Sequence, residues 1–302
     1  MKEKTHFKID KSKCIKCGNC INTCTGMVLE FGKDGYPEMK DFERFGWRGC
    51  WKCEHCLAVC PTGAISIFNK KPEESLPPPP KEMGEYMERL LVYRRSCRRY
   101  IDKNIDKQII DRIIKAMESC PTGGNSCGVE YTIIDDKERV KEIWNIAYKK
   151  MDEDAKKHIY TTSFSDFYYK KMKESEKTVR KDDLLFCSAP HLFIAHQKAV
   201  GKWAEDAKVD CDIASAYFEL IANSFGLGTI IMSYSSEVLN QLVPEARKML
   251  GIPEDHYMKI IVGFGYPEIK YARGVQKTRT QKIHRYTDKK EVDNNEQIGL
   301  FN

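Results

Sequence analysis

Apolar residues recur with helical spacing in several parts of the chain. One stripe follows a capping aspartate, Asp106, and consists of Ile109, Ile110, Ile113, Ile114 and Met117. Further helices are predicted over Met83–Tyr93, Trp203–Phe225 and the highly charged stretch Lys137–Lys181. The helix over 203–225 is expected to end at Gly226, because glycine is common just beyond a helix C-terminus.

Short apolar runs between these helices predict strands. Val129–Ile134 is one such run and ends at two aspartates. Ala189–Ala195 and Tyr257–Phe264 are almost continuously apolar, which is typical of strands buried on both faces. The longer, C-terminal part of the chain is therefore expected to combine helices with a few buried strands.

A proline-rich segment separates this part from the N-terminus. Lys70–Lys81 contains four consecutive prolines, Pro77–Pro80, which favour the extended polyproline II conformation. Such a segment is more typical of a spacer than of an adaptor ligand. The sequence therefore predicts three parts: a domain over residues 1–69, a linker over 70–84 and a second domain over 85–302.

Two blocks of four cysteines share one spacing in the N-terminal domain. Each block reads C-x2-C-x2-C-x3-C, and only the second is followed by proline, Pro61; Thr25 stands at the equivalent position of the first. In two-cluster domains, three cysteines of a block hold one 4Fe–4S cube and the fourth reaches the other cube. We assign one cluster to Cys14, Cys17, Cys20 and Cys60, and the other to Cys50, Cys53, Cys56 and Cys24.

Zinc and disulfides are the alternatives for these cysteines. Zinc sites usually show paired C-x2-C units and not runs of four, and disulfides need an oxidising compartment. The chain has 13 cysteines. The eight in the blocks leave five without a framework, which indicates free thiols in a reducing cytoplasm: Cys97, Cys120, Cys127, Cys187 and Cys211.

Residues 25–49, between the blocks, carry an aromatic cluster: Phe31, Tyr36, Phe42, Phe45 and Trp47. We favour a hydrophobic cover that keeps water from the clusters. The alternative is a docking surface for a partner or for the second domain.

The formal charge of +6 at first suggests nucleic acid. Each oxidised cluster with four thiolates adds about −2, so two clusters lower the charge of the loaded protein to roughly +2. No long Lys/Arg run is present. No apolar run approaches the roughly 20 residues of a membrane span, and the charged start, Met1–Lys4, does not resemble a secretory signal. We expect a cytoplasmic protein that binds neither nucleic acid nor membrane.

Two polar stretches of the second domain carry candidate chemistry. Arg94–Arg99 holds four arginines around Ser96, and their charges need an anionic partner or exposure to solvent. Cys120–Ser126 is a Pro-Thr-Gly-Gly loop with exposed backbone N–H groups. A nicotinamide fingerprint is not found: Gly226-x-Gly228 and Gly263-x-Gly265 lack the strand–loop–helix order that a Rossmann loop requires.

Four stretches, in order, resemble the FMN-dependent nitroreductase family: Arg94–Arg98, Pro121–Ser126, Gly226–Thr229, and Leu250–Pro253 through Gly265–Pro267. The N-terminal part resembles bacterial two-cluster ferredoxins, and the combination is similar to ferredoxin–nitroreductase fusions of anaerobes. The resemblance implies an α+β fold, with a mixed sheet flanked by helices, and a homodimer with FMN at its interface.

The same resemblance implies the FMN contacts. The flavin phosphate and ribityl chain or ring edge would be held by Arg94, Arg95, Ser96 and Arg98, and the ring by Pro121, Thr122, Gly123, Gly124 and Asn125. Gly226, Leu227 and Gly228 would pass close to the ring, and Lys277 and Arg279 would complete the phosphate site. Many family members have Gln where Cys127 stands. For Cys97, Cys120 and Cys127 we favour small buried residues over a redox or ligand role.

The leading hypothesis is an enzyme in which a low-potential, ferredoxin-type donor feeds the clusters, then FMN, then a small acceptor such as a nitroaromatic, a quinone or an activated alkene. No catalytic side chain is assigned. The aromatic stretch Tyr160–Tyr169 is either a lid over the acceptor or a packed helical insertion. The alternatives are an electron-transfer or redox-sensing module for a protein partner, and a flavin reductase fed by NAD(P)H.

Overall fold

A computed structural model describes residues 1–159, 170, 173–174, 183, 185–278, 281–287 and 290–291. The predicted stretch Tyr160–Tyr169 and Arg279 lie outside these residues. The N-terminal part holds four short strands and two one-turn helices: β1 (Lys8–Ile9), α1 (Asn19–Asn22), β2 (Leu29–Phe31), β3 (Pro37–Met39), α2 (His55–Ala58) and β4 (Ile65–Ser66). β1 pairs antiparallel with β4, and β2 with β3.

The two cysteine blocks adopt the same backbone course. Lys16 and Gly18 in the first block have positive φ, and so do Lys52 and Glu54 at the equivalent positions of the second. α1 and α2 follow directly and carry Cys20 and Cys56. Equal cysteine spacing has therefore produced two equally curved loops.

An apolar core lies between these loops, and part of the aromatic loop packs on it. Phe42 and Phe45 contact this core and meet edge to face, with ring centroids 5.4 Å apart. These two rings are placed as the predicted hydrophobic cover. Trp47 is different, because it is 71% exposed and lies near the second domain.

The second domain contains six helices and seven strands among the described residues. The helices are α3 (Met83–Tyr93), α4 (Lys107–Met117), α5 (Lys137–Lys156), α6 (Ala204–Ser224), α7 (Tyr234–Glu237) and α8 (Pro244–Met249), with a π-helical turn at Val238–Leu242. The strands are β5 (Glu130–Ile134), β6 (His191–Lys198), β7 (Gly228–Met232), β8 (His256–Tyr257), β9 (Ile261–Gly265), β10 (Tyr286–Thr287) and β11 (Lys290–Glu291).

One sheet organises this domain, with strand order β5-β6-β9-β7 and β8 paired to β6. Its strand pairs are antiparallel, and a single parallel bridge joins Ser96 to Thr229 beside β7. Side chains alternate between two cores: Leu192 and Ile194 face α5, α7 and α8, whereas Phe193 and Ala195 face α4 and α6. The predicted α+β fold, a sheet flanked by helices, is confirmed.

The helix signals were accurate where a cap supported them. The Asp106 carboxylate accepts the Gln108 N–H at 2.9 Å, as predicted. Gly226, at φ 77°, ends α6, and the Leu227 N–H reaches the carbonyl of Ala222. α5 ends at Lys156, well before the predicted boundary at Lys181, and His158 just beyond it has positive φ.

The strand boundaries needed correction. The strand predicted at 189–195 runs from His191 to Lys198, and the run predicted at 257–264 divides into β8 and β9. β7 was missed, because Gly228–Met232 follows a helix almost directly and its glycine had been assigned to a flavin loop.

Candidate functional site

Long-range folding sorts seven of the eight block cysteines into two groups. The Cys20 thiol lies within electrostatic reach of Cys17 and Cys60, whereas Cys56 lies within reach of Cys50, Cys53 and Cys24. Each group therefore combines thiols of one block with the last cysteine of the other. The sequence predicted the same exchange of the last cysteines, and the full ligand sets stay a prediction.

The surroundings of these thiols suit iron–sulfur clusters. Burial raises the pKa of the Cys56 thiol to about 12, so a thiolate there needs a compensating positive group. Cys24, Cys50, Cys53 and Cys56 line one small cavity, whose remaining wall is mainly apolar. In the other group, Cys60 Sγ accepts the Ala64 N–H at 3.2 Å, a contact that favours a thiolate.

A second cavity, a cleft of about 660 Å³, opens beside β7. Its volume falls within the roughly 300–1,000 Å³ typical of ligand pockets. Four segments line it: the end of α3 with the arginine segment 94–99, residues 183 and 187, the end of α6 with residues 223 and 226–228, and residues 267 and 269–271. The structure thus brings together two of the predicted flavin-binding stretches.

Gly228 permits this close approach. A Cβ atom at position 228 would lie 2.7 Å from Cys97 Sγ and 2.8 Å from Cys97 Cβ. The Cys97 N–H donates to the Thr229 carbonyl at 2.7 Å, which fixes the arginine segment along the edge of β7. Glycine at 228 therefore accommodates the arginine segment, and not only a ligand.

The arginines of the cleft have different surroundings. Arg94 Nη1 donates to Glu219 Oε1 at 2.9 Å, so the charge of Arg94 is already compensated. Arg95 donates through Nη2 to the Val92 carbonyl, while its buried Nε has no hydrogen-bond partner among the described residues. Arg98 Nη1 donates to the Ser96 carbonyl at 3.4 Å. A buried, unpaired guanidinium N–H fits an anion in the cleft, such as a flavin phosphate.

The chain beyond β9 returns to the arginine segment. Tyr93 Oη donates to the Tyr271 carbonyl at 2.8 Å, and a Cβ at Gly274 would lie 2.5 Å from Val92. Lys277 follows three residues later and is exposed. Of the predicted basic pair, Lys277 and Arg279, only Lys277 is described, and it lies close in sequence to the contact between Gly274 and Val92.

The Pro-Thr-Gly-Gly-Asn loop lies elsewhere on the chain. Pro121, Thr122 and the 3₁₀ turn Gly123–Asn125 do not contribute to the lining of the arginine cleft. The Gly123 N–H donates to Asp210 Oδ1 at 2.9 Å, whereas Arg94 contacts Glu219 on the same helix. Nine residues of helix separate these two anchor points by about 13 Å. One chain therefore holds the two predicted halves of the flavin site apart.

This loop touches the N-terminal domain. Asn125 Nδ2 donates to the Trp51 carbonyl at 2.9 Å, and Trp51 lies between the block cysteines Cys50 and Cys53. A Cβ at Gly124 would lie 3.7 Å from Trp47 Nε1. Trp47 and Trp51 meet edge to face at 4.7 Å. Trp47 therefore lies close to the second domain although it is 71% exposed, and the role of the aromatic loop as a docking surface stays a prediction.

The unassigned cysteines near these stretches differ in exposure. Burial raises the pKa of the Cys97 and Cys120 thiols, and both are half-buried. Cys127 is exposed and has positive φ, while its N–H donates to Thr122 Oγ1. The favoured interpretation as a small buried residue is wrong for Cys127, because the turn directs it outward.

Asp210 is a positioning residue that the sequence analysis missed, since an aspartate inside a helix carried no local signal. We expect Asp210→Ala to destabilise the loop at Gly123 by about 1.5–3 kcal/mol, because a charge-assisted hydrogen bond is lost. Hydrogen exchange of the Gly123 amide measures this change. Asp206→Ala, an exposed aspartate one turn earlier on α6, is the control. Equal protection of Gly123 in both variants would contradict the assignment.

Comparison with known proteins identifies the chain. Residues 91–266, more than half of its length, match the model of the nitroreductase family. The chain belongs to the nitroreductase family. Residues 13–64 match the 4Fe-4S dicluster domain, so this nitroreductase carries the predicted ferredoxin-like domain. The predicted combination of an FMN-dependent oxidoreductase with 4Fe–4S clusters is thereby confirmed at the level of family.

Individual relatives cover one part or the other. A putative NADH dehydrogenase/NAD(P)H nitroreductase of Archaeoglobus fulgidus is 25% identical over 65% of this chain and 95% of its own. An uncharacterized ferredoxin of Methanocaldococcus jannaschii is 35% identical over 22% of this chain and 82% of its own. Among solved structures, a nitroreductase with bound FMN from Desulfitobacterium hafniense aligns with a TM-score of 0.49 at 20% identity, over 65% of this chain and 97% of that chain. None of the described helices is long and apolar enough to span a bilayer.

Proposed function

We propose that this nitroreductase passes electrons from a low-potential, ferredoxin-type donor through two 4Fe–4S clusters to FMN, and on to a small organic acceptor such as a nitroaromatic, a quinone or an activated alkene. The observation that carries the proposal is the contact between Trp51 and Asn125. It joins the second cysteine block to the predicted flavin loop. The division into residues 1–69, 70–84 and 85–302 is part of the proposal.

The cysteines would hold the clusters in the two groups predicted from the sequence: Cys14, Cys17, Cys20 and Cys60 for one cluster, and Cys24, Cys50, Cys53 and Cys56 for the other. Cys17, in the first group, is the exposed member of the eight, although Cys20 of the same group is buried like Cys50 and Cys56. The second group contains Cys50, the neighbour of Trp51, which contacts the predicted flavin loop. Electrons would therefore enter at the first cluster, beside the exposed Cys17, and leave from the second, beside Trp51. Lysines around the first block would suit an acidic donor: Lys11, Lys13 and Lys16. The donor would compete with the carboxylates of Asp34 and Glu73, which pair with Lys11 and Lys13.

The second domain would hold FMN, which supplies the exchange between single electrons and a two-electron acceptor. Arg95 would bind the phosphate through its unpaired Nε, with Arg98, Ser96 and the basic pair Lys277 and Arg279 around it. Arg94 would act by positioning, since it is held on Glu219. Gly226, Leu227 and Gly228 would line the cleft on the α6 side, and Pro121–Asn125 would complete the site.

A homodimer reconciles the separated halves of the site. α6 presents an apolar stripe from Val209, next to the Asp210 anchor, to Tyr217, before the Glu219 anchor. Val209 is 54% and Tyr217 44% exposed, and Ile213 between them is half-buried. In an isologous contact whose two-fold axis is perpendicular to α6, the two helices would run antiparallel. The Asp210 end of one helix would then lie beside the Glu219 end of the other. Each FMN would thus be held by the arginine segment of one chain and the 121–125 loop of its partner.

The choice of donor tests the proposal. Under anaerobic conditions, a reduced ferredoxin should first reduce the clusters and then the FMN of the full-length protein, whereas NADH alone should leave the FMN oxidised. Rapid-freeze EPR follows the clusters, and absorbance follows the flavin. Reduction of FMN by NADH while the clusters stay oxidised would contradict the proposed donor. A protein that accepts electrons but does not consume nitroaromatics, quinones or activated alkenes would favour the electron-transfer module.

A further inference from the structure

Three potential metal ligands meet at the end of the sheet opposite the arginine cleft. Glu130 begins β5, His196 lies near the end of β6, and His256 begins β8. The register places Glu130 directly across from His196, and His256 across from Lys198. All three side chains therefore lie near one another although they are far apart in sequence.

Their geometry resembles that of a metal-binding group. One ligand atom from each residue lies within 4.8 Å of the other two. His196 Nδ1 and His256 Nδ1 are 3.0 Å apart, so the two imidazoles face each other through the same type of nitrogen. Two nitrogens bound to one tetrahedral ion at 2.0–2.1 Å would be about 3.3 Å apart. A small increase in the distance between His196 Nδ1 and His256 Nδ1 would therefore accommodate an ion.

A second contact orients the buried histidine. His196 is 2% exposed, and its Nε2 lies 2.9 Å from Thr132 Oγ1. When Nε2 carries the proton and donates to Thr132, Nδ1 is left with a lone pair toward His256. Histidine ligands of metals are usually fixed in this way by a hydrogen bond at the other ring nitrogen.

We propose that Glu130, His196 and His256 bind one divalent transition-metal ion of the zinc class. Two imidazoles and one carboxylate are ligands that zinc and its neighbours accept, and a three-residue set leaves a position open. The exposure of Glu130 and the half-buried His256 give the ion a path from solvent. The ion would replace the direct contact between the two histidines.

The charges around the site are nearly balanced. Arg247 on α8 donates to the backbone carbonyl of His256 at 2.5 Å and to Asn240, so its guanidinium is held by neutral acceptors and not by the ligand side chains. Lys198 is paired with Asp255 at 2.7 Å. The carboxylate of Glu130 is therefore the one negative ligand of the set, and it also offsets the positive charge of Arg247, which lies within electrostatic reach of His196.

The ion would also secure a weakly attached strand. β8 has two residues and pairs with β6 at two positions, Tyr257 with Gln197 and His256 with Lys198. Coordination by His256 would tie β8 to β5 and β6. This site is separate from the electron path, because the cleft lies beside β7, at the other edge of the strand order.

Zinc binding to the full-length, cluster-loaded protein tests the proposal. Equilibrium dialysis against Zn²⁺ after treatment with a chelator should show one more zinc per chain in the wild type than in Glu130→Gln or His256→Gln. These substitutions should raise the Kd at least about tenfold. The controls, Glu153→Gln and His284→Gln, change exposed residues outside the site and should bind zinc like the wild type.

Zinc absorption-edge spectroscopy identifies the ligands. The extra zinc should show scattering from two imidazoles, and this signal should be lost in His256→Gln. Glu130 is exposed, so Glu130→Gln tests the site without altering the core. Equal zinc binding by the wild type and both ligand variants, or zinc coordinated only by sulfur, would overturn the proposal.

Discussion

Replacing Cys24 with alanine is expected to remove the cluster of the second block and to leave that of the first in place. Cys24 belongs to the first block in sequence, but the fold places it with Cys50, Cys53 and Cys56. Since each cube contains four irons, the iron count should fall from about eight to about four per chain. Iron and sulfide analysis, with EPR of the reduced protein, measures the loss.

The same variant should lose reduction of FMN by a ferredoxin-type donor, because the remaining cluster is the one farther from Trp51 and Asn125. Its FMN content should stay at the wild-type level. Cys127→Ser is the matched control, since it changes an exposed cysteine outside both groups and should leave iron and electron flow unchanged. A Cys24→Ala protein that keeps eight irons, or that passes ferredoxin electrons to FMN as fast as the wild type, would refute the assignment.

Arg95→Ala is expected to weaken FMN binding roughly 10- to 100-fold, as loss of one or two hydrogen bonds to a charged group implies. The physical reason is the buried Nε of Arg95, which has no described partner and points to an anionic ligand. Arg95→Lys should restore little, because an ammonium cannot reproduce the planar fork. Titration of flavin-free protein with FMN, followed by flavin fluorescence, gives the Kd.

Arg94 provides the contrast. Its charge is already paired with Glu219, which is 9% exposed, so Arg94→Ala should mainly destabilise the fold by leaving a buried carboxylate unpaired. Chemical denaturation separates this loss of stability from a loss of affinity. If Arg94→Ala weakened FMN binding more than Arg95→Ala at equal stability, the phosphate would belong to Arg94.

Mixed dimers extend this test to the shared site. Gly124 has φ 61°, so Gly124→Val should distort the flavin loop. A heterodimer of Arg95→Ala and Gly124→Val chains would contain one site built from two wild-type halves, and should bind about one FMN per dimer. Two sites that each lie within one chain would both be damaged, and the heterodimer would then show no recovery.

Much of the candidate site was predictable because its signals are local. The fixed spacing of the cysteines almost fully specifies a cluster loop, and both blocks make the same turn, at Lys16 and at Lys52. Asp106 and Gly226 likewise marked the helix ends, since caps act within one turn. The strands were less well predicted, because β7 and the break between β8 and β9 depend on pairing with β9 and β6 and not on their own apolar content.

The sequence by itself determined the two cysteine blocks, the linker, the arginine segment and the glycine-rich loop, since each is encoded by adjacent residues. Only the tertiary structure decided how they meet. It pairs Arg94 with Glu219 and leaves Arg95 Nε unpaired. It sets Asn125 on Trp51, and it brings Glu130 and His256 to His196. These contacts join residues tens of positions apart. Their geometry follows from packing and strand register, and local sequence patterns carry no information about either.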